Sequence, residues 1–345
     1  MKVNDLGEFG VIKLLTEMVT RGRSGPDNAS RYNFKLLVDV GDDTAAWRCG
    51  QGIELYTTDT AVEGVHFTRA TTPWHDLGWK IMAANVSDIA AMGGLPLYAL
   101  ITLGLPPDTE MEDLESLYQG MLRLGNKHGV AIVGGDMVRS PVVFVTVSLT
   151  GVCEGDPMLR SAAKLGDLVA VTGYLGSSAG GLEIMLKELP VFSAEASEYL
   201  KEAHRRPEPC IGQGRVLFRY GVRTAMDISD GLVDDLSKLC QASGVAAWLD
   251  ASRIPVHPML KEVFPQEYTN MALGGGEDYQ LVFTATEELM QRVLPMLPSP
   301  AAVIGEITSG ESGRVTVVDS QTGERLSTAH AGWDHFKPTS SEAGR

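Results

Sequence analysis

Residues 53–59, Ile-Glu-Leu-Tyr-Thr-Thr-Asp, form a short apolar run that stops at a carboxylate. Such a run is typical of a β-strand, and here it places Asp59 at the strand's end. On either side of this strand the sequence predicts further strands, at 36–40, 130–133 and 142–150, which alternate with helices at 76–92 and 110–128. Residues 1–150 are therefore predicted to form one α/β unit.

The rest of the chain predicts a second unit of the same kind. Strands are expected at 167–172, 280–284 and 301–304, and helices at 179–187 and 233–242. At 345 residues and 37.1 kDa the chain is longer than one ordinary domain and suits two packed α/β domains. We place them at 1–150 and 151–336, with a tail at 337–345 that its composition predicts to be disordered.

Charge and cysteine content limit the partners and the compartment. With 44 Asp and Glu against 29 Lys and Arg, the net charge of -15 disfavours binding to the nucleic-acid backbone. Cys49, Cys153, Cys210 and Cys240 lie far apart without a C-x-x-C pair, which argues against a zinc site or a disulfide framework. The N-terminus has no apolar signal core, and the apolar stretch at 95–105 is too short to span a bilayer. A cytoplasmic protein is therefore expected.

Aspartates beside glycine, serine or threonine are the main chemical signal. They are Asp42, Asp43, Asp59, Asp88, Asp136, Asp227 and Asp230. Any one such pair is more often an ordinary turn, because Asp bonds its own backbone and Gly tolerates positive φ. If the carboxylates converge, however, they need cations, and hard oxygen ligands favour magnesium over zinc or copper. Magnesium in turn favours a phosphate substrate.

Two of these aspartates are predicted to lie on one helix. Asp227 and Asp230 are three residues apart, at the start of a helix expected to begin near Gly231. The alternative is a simple N-cap, in which Ser229 or Asp230 satisfies free N–H groups. The sequence leaves both open.

The helix at 76–92 contains a similar polar pair. Asn85 and Asp88 share a helix face, and Asp88 among Val86, Ile89 and Met92 would be costly to bury without a partner. A metal ion would remove that cost.

Known nucleotide-binding loops are missing from the sequence. It has no G-x-x-x-x-G-K-[ST] P-loop, and the glycine-rich segment 173–181 contains no lysine. Phosphate is then expected to meet metal ions, the amides of Gly134-Gly135 and cations such as Arg160. For Arg160, an ordinary surface arginine is the alternative.

Six motifs together resemble those of thiamine-monophosphate kinases. They are GDDTAA at 41–46, TTDTAVEGVHF at 57–67, NVSDIAAMGG at 85–94, GGDMVRS at 134–140, DISDGL at 227–232 and GGGEDYQL at 274–281. The resemblance spans nearly the whole chain. It implies the two-domain α/β (α+β) fold shared with aminoimidazole ribonucleotide synthetase, and a homodimer whose interface is the N-terminal domain. The N-terminal domain would bind ATP and magnesium, and the C-terminal domain would complete the site.

The same resemblance implies the site residues. The magnesium ligands would be Asp43, Thr57, Thr58, Asp59, Asp88, Asp136, Asp227 and Asp230. ATP would contact Gly135, Asp136, Arg160 and Ser229, and thiamine monophosphate would contact His66, Glu277 and Trp333. For His66 and Trp333 taken alone, ordinary packing is the better interpretation. No general base is expected, because the acceptor phosphate is already anionic.

The implied activity is transfer of the ATP γ-phosphate to thiamine monophosphate, giving thiamine diphosphate in the last step of its biosynthesis. We expect direct in-line transfer assisted by several magnesium ions. Gly274, Gln280 and a segment at 21–32 that looks like an extra loop depart from the family pattern. A synthetase that activates an oxygen with ATP is disfavoured, because its relatives' N-terminal or C-terminal reactive cysteine is missing. The alternative of another class is a sensor that binds nucleotide or thiamine phosphate without turnover.

Overall fold

The computed structural model describes residues 1–40, 44–187, 189 and 193–326, with the backbone alone at residues 8 and 9. The elements of the N-terminal part are α1 (Val3–Gly22), α2 (Asn28–Arg31), β1 (Lys35–Val38), β2 (Ala46–Arg48), β3 (Ile53–Val62), α3 (Trp74–Ala91), β4 (Leu95–Leu105), α4 (Met111–His128), β5 (Ala131–Arg139) and β6 (Phe144–Cys153). None of the described helices is long and apolar enough to cross a membrane.

The C-terminal part continues with a second series of elements. They are β7 (Leu168–Val171), α5 (Ser177–Lys187), α6 (Ala194–Arg205), α7 (Ile211–Tyr220), β8 (Thr224–Asp227), α8 (Leu232–Ser243), β9 (Ala246–Asp250), α9 (Pro258–Val263), α10 (Tyr268–Gly274), β10 (Leu281–Ala285), α11 (Glu287–Val293), β11 (Ala302–Thr308), β12 (Val315–Val318) and β13 (Arg325–Leu326). Short 3₁₀ turns lie at Ala251–Arg253 and Leu294–Met296.

The N-terminal domain is built on a four-stranded sheet in the order β3-β6-β4-β5. Helices α3 and α4 cover one face, where Val145, Val147 and Leu149 of β6 are fully buried in one core with Met82 of α3. The opposite face carries exposed side chains, including Tyr56, which is 67% exposed. Strand alternation thus divides the sheet into a helix-covered face and an open face.

In the described residues, the C-terminal domain is built on a seven-stranded sheet in the order β13-β12-β9-β11-β7-β10-β8, with its own apolar core. Its pairings are antiparallel apart from β12 with β9. The expected α/β (α+β) fold class with two such domains is confirmed. Several helices were not predicted, among them α1, α6 and α7.

Helix α3 joins the two domains. An added Cβ at Gly214 of α7 would lie 2.2 Å from the carbonyl oxygen of Ala90, so only glycine permits this close approach. The indole of Trp79 donates to the carbonyl of Pro207 at 2.8 Å. The same helix therefore packs on its own sheet and on the C-terminal domain, which places Asp88 at the junction.

Two sequence expectations were wrong in detail. Strand β3 continues to Val62, because all ten of its residues pair with β6, so Asp59 lies inside the strand and not at its end. The segment 21–32 is not simply a loop: it holds the end of α1 and all of α2. Buried Asn28 anchors it by donating to the carbonyls of Pro96 and His128.

Candidate active site

The first part of the site lies between β3 and α3. Thr57 and Asp59 alternate with exposed neighbours and point toward the helix-covered face. The hydroxyl of Thr57 donates a hydrogen bond to Oδ2 of Asp88, in the last turn of α3. Strand and helix thus bring two motifs that are 31 residues apart into contact.

The C-terminal domain adds Asp227, which is 3% exposed. Its Oδ2 accepts a hydrogen bond of 2.9 Å from Ser87 of α3. Asp227 is the last residue of β8, so its expected place in the first turn of a helix was wrong. Strand β8 is buried and pairs with β10 over residues 224–227, so the strand ends at Asp227.

Burial raises the pKa of three of these carboxyl groups, and the charge of Asp88 adds to the effect on Asp59 and Asp227. Burial, followed by the charges of Asp88 and Asp230, raises the pKa of Asp59 to about 6. Burial, followed by the charge of Asp88, raises the pKa of Asp227 to about 8. Burial also raises the pKa of Asp88, although the Thr57 hydroxyl and Arg160 act to lower it. The ionised form of the group is therefore disfavoured unless a cation neutralises it.

Arg160 lies beside this group despite its exposed place in a turn. Its positive charge acts to lower the pKa of both Asp88 and Asp227, yet both stay raised. Its own carbonyl accepts a hydrogen bond of 2.7 Å from Ser243, which fixes the turn. Arg160 therefore neutralises the group only in part and stays accessible to an anion.

Asp230 follows in a loop that a different aspartate stabilises. Oδ2 of buried Asp235 accepts from the amides of Ser229 and Asp230, each at 2.9 Å. Helix α8 begins at Leu232 after Gly231, which makes no side-chain cap, so neither Ser229 nor Asp230 is the N-cap. The carboxylate that satisfies these amides comes from inside the helix.

Lys238 neutralises the acidic residues around this loop. Its ammonium lies 2.5 Å from Asp230, 2.7 Å from Asp234 and 2.9 Å from Asp235. Their oxygens lie within 4.8 Å of one another, as metal ligands would. Asp230 thus faces Lys238 on one side and raises the pKa of Asp59 on the other.

Glu277 forms a second part of the candidate site, beside the loop that contains Ser229 and Asp230. The motif 274–281 runs beside 227–232, where the amide of Glu277 donates to the carbonyl of Ser229 at 2.8 Å. Glu277 has a φ of 64° and Tyr279 a φ of 50°, a left-handed conformation that costs free energy in non-glycine residues. Burial acts to raise the pKa of Glu277, but Lys80 holds that pKa below its usual range, with a smaller contribution from His66.

Other predicted residues lie elsewhere. Thr58 points to the open face, with its hydroxyl 3.1 Å from that of Ser148. Asp136 lies inside β5 and pairs with Thr102, which is on the same open face. Gly135 is its exposed neighbour, and an added Cβ there would lie 1.9 Å from the carbonyl oxygen of Ile101. Within one chain, Asp136 and Thr58 therefore do not join Asp59 and Asp88.

Asp42, Asp43, Trp333 and the tail 337–345 lie outside the described residues. Conversely, the structure adds residues that the motifs did not single out, namely Ser87, Lys80, His204, Asp235 and Lys238. The sequence could have drawn attention to Lys80, because it is a lysine between apolar residues of a helix. No local pattern in the sequence distinguishes His204, because its partners are distant in sequence.

Comparisons with known proteins agree with this architecture. Residues 41–154 match the family described as AIR synthase related protein, N-terminal domain, and residues 164–318 match its C-terminal domain. Thiamine-monophosphate kinase of Bacillus subtilis is 35% identical over 313 residues, which is 89% of this chain and 95% of that protein. The chain belongs to the thiamine-monophosphate kinase family. The family member from Escherichia coli K12 is 36% identical over 336 residues, 96% of this chain and 98% of its own length.

Solved structures of this family have the same fold. Thiamine-monophosphate kinase from Stenotrophomonas maltophilia superposes with a TM-score of 0.78 at 31% identity, over 90% of this chain and 96% of that chain. AaThiL complexed with AMPPCP and TMP gives a TM-score of 0.74 at 35% identity, over 97% of this chain and 99% of that one. The hydrogenase maturation protein HypE in complex with ATP, at 19% identity and a TM-score of 0.71, shares the fold.

Proposed function

We propose that this chain transfers the γ-phosphate of ATP to thiamine monophosphate, with several magnesium ions, and so makes thiamine diphosphate. The observation that carries the proposal is the group formed by Asp59, Asp88 and Asp227, whose pKa values are raised by burial and, for Asp59 and Asp227, by the charge of Asp88. The family's names and the complex of AaThiL with AMPPCP and TMP support the choice of substrates.

The oxygen ligand atoms of this group suit magnesium. The group offers carboxylate oxygens and the Thr57 hydroxyl, which are hard ligands, and Arg160 leaves its charge partly uncompensated. Asp59, Asp88, Asp227 and Asp230 would hold the ions, and Asp43, Thr57, Thr58 and Asp136 are the other proposed ligands. Bound magnesium would neutralise the phosphate oxygens as charge develops on them. Asp230 would then bind a metal ion in place of its ion pair with Lys238.

The chain's own residues would align the two anions. Arg160 and the amides near Ser229 and Gly135 would orient ATP, while His66, Glu277 and Trp333 would hold thiamine monophosphate. An oxygen of the acceptor phosphate would bond to the γ-phosphorus as the bond from that phosphorus to the β-phosphate oxygen breaks, releasing ADP. Because the acceptor is already anionic, no side chain needs to remove a proton.

A homodimer would complete the site. Asp136 and Thr58 lie on the open face, which also exposes apolar side chains of Tyr56, Leu100 and Val138. From β3 to β5 the sheet spans about 14 Å, too far for Asp136 to reach Asp59 in one chain. A second copy covering this face would bring its own Asp136 to the β3 edge.

Turnover tests the proposal directly. Purified protein with ATP, magnesium and thiamine monophosphate should release ADP and thiamine diphosphate in equal amounts, resolved by chromatography. Omitting thiamine monophosphate or adding EDTA should stop ADP release. Binding of both ligands without turnover would instead identify a sensor, and a trapped phosphorylated protein would contradict direct transfer.

A further inference from the structure

A buried lysine and a buried histidine hold the Glu277 carboxylate. The ammonium of Lys80, on α3, donates to Oε2 of Glu277 at 2.7 Å and lies 3.1 Å from Nε2 of His204, on α6. Nδ1 of His204 lies 3.5 Å from the same Oε2 and 3.1 Å from the hydroxyl of Ser178. The three side chains thus form one connected cluster between the two domains.

The cluster fixes the protonation of its members. A lysine ammonium has no acceptor, so Nε2 of His204 accepts its hydrogen bond and Nδ1 carries the proton. Burial, followed by the charge of Lys80, lowers the pKa of His204 to about 4, which keeps the ring neutral. Burial acts to raise the pKa of Glu277, but Lys80 outweighs it and holds that pKa below its usual range.

The three side chains differ in how much of their surface is exposed. Lys80 is 7% exposed and His204 3%, whereas Glu277 is 31% exposed. Glu277 is therefore held by two buried partners while part of its own side chain stays accessible. The amide of Glu277 donates to the carbonyl of Ser229 at 2.8 Å, which fixes the backbone from which this side chain extends.

We propose that Lys80 and His204 are positioning residues that orient the Glu277 carboxylate toward the cationic organic part of the acceptor substrate. This inference rests on the proposed function, in which Glu277 contacts thiamine monophosphate. Since Lys80 comes from the N-terminal domain and Glu277 and His204 from the C-terminal domain, substrate affinity depends on how the domains meet. The cluster determines specificity for the acceptor and takes no part in phosphoryl transfer.

A double-mutant cycle tests whether Lys80 acts through Glu277. Lys80→Met keeps the length of the side chain and removes its charge, and Glu277→Gln removes the carboxylate. We expect each single variant to raise the KM for thiamine monophosphate about tenfold, since a hydrogen bond to a charged group is lost. The KM for ATP and kcat should stay near wild type. In the double variant the KM should rise no further than in Glu277→Gln alone.

Arg215→Met is the matched control. Arg215 is also a buried cation that joins the two domains, since it donates to the carbonyl of Gly93 and pairs with Glu154 at 2.8 Å. Its loss should lower the melting temperature and leave the KM for thiamine monophosphate unchanged. If Lys80→Met does not fold, His204→Gln replaces it in the cycle.

The outcomes distinguish a failure of the proposed function from a failure of the positioning role. No ADP release from the wild-type protein with thiamine monophosphate would overturn the proposed function. Wild-type turnover with an unchanged KM in Glu277→Gln would show that Glu277 does not contact the acceptor, and would overturn the positioning role of Lys80 and His204 as well. A raised KM in Glu277→Gln together with independent, additive effects of Lys80→Met, or equal changes in Arg215→Met, would overturn the positioning role alone.

Discussion

Asp59 and Asp136 lie on opposite faces of the same four-stranded sheet. Asp59 pairs with Val147, which is fully buried under the helices, whereas Asp136 pairs with Thr102 on the open face. Two strands separate β3 from β5. If both carboxylates serve one active site, they come from different chains.

Mixed dimers should therefore recover activity. Asp59→Asn and Asp136→Asn should each abolish turnover and leave the fold intact, because each removes a metal ligand. After co-expression about half of the dimers would be mixed, and each mixed dimer would contain one complete site, giving about a quarter of wild-type turnover. Steady-state ADP release with thiamine monophosphate measures it.

Asp88→Asn provides the control, because Asp88 and Asp59 lie in the same chain's group. Mixing Asp59→Asn with Asp88→Asn should leave every site defective and recover no activity. Equal recovery in both mixtures, or no recovery although chromatography shows mixed dimers, would contradict a site shared between chains.

The sequence predicted much of this fold but not the face on which a residue lies. Asp59 and Asp136 both follow threonine or glycine at the end of a β-rich run, and periodicity does not distinguish them. The difference arises from the register of β3, β6, β4 and β5, which requires all of the pairing partners. Family resemblance supplied the list of residues without assigning them to one chain or two.

Tertiary contacts also explain what was missed around Asp227. The helix-start pattern at 227–232 predicts that Asp227 lies on α8, but pairing with β10 keeps it on a strand. Lys80 and His204 are 124 residues apart, so no local pattern relates them. Their contact follows from the packing of α3 against the C-terminal domain.

Asp227 should make the stability of the metal-free protein depend on pH. Its pKa is about 8 in the folded protein and near the ordinary 3.8 when unfolded, so between these values the folded state alone keeps the proton. This contribution is fully present below pH 3.8 and is lost progressively as pH rises toward 8. In EDTA, the melting temperature of Asp227→Asn relative to wild type should therefore rise from pH 5 to pH 8.

Comparison with the variant isolates Asp227, because His204 and other titrating groups are present in both proteins. Magnesium should raise the melting temperature of wild type more at pH 8 than at pH 5, since it binds the ionised carboxylates. A constant difference between wild type and Asp227→Asn across this range would mean that the carboxyl is not buried beside other charges.

Gly276 lets the two C-terminal motifs pack closely. A Cβ added there would lie 2.6 Å from the carbonyl oxygen of Ser229, a backbone atom that cannot move alone. Gly276→Ala should therefore push Glu277 away from the 227–232 loop. We expect a loss of about 1–3 kcal/mol in the free energy of unfolding, measured by urea denaturation, and a higher KM for thiamine monophosphate.

Gly212→Ala is the matched control for this substitution. Gly212 lies in the first turn of α7, and an added Cβ there would meet no atom within 4 Å. Because alanine favours a helix over glycine, Gly212→Ala should change the free energy of unfolding by no more than about 1 kcal/mol, and in the stabilising direction. Equal losses in both variants would show that the cost at Gly276 comes from backbone conformation in general and not from its contact with Ser229.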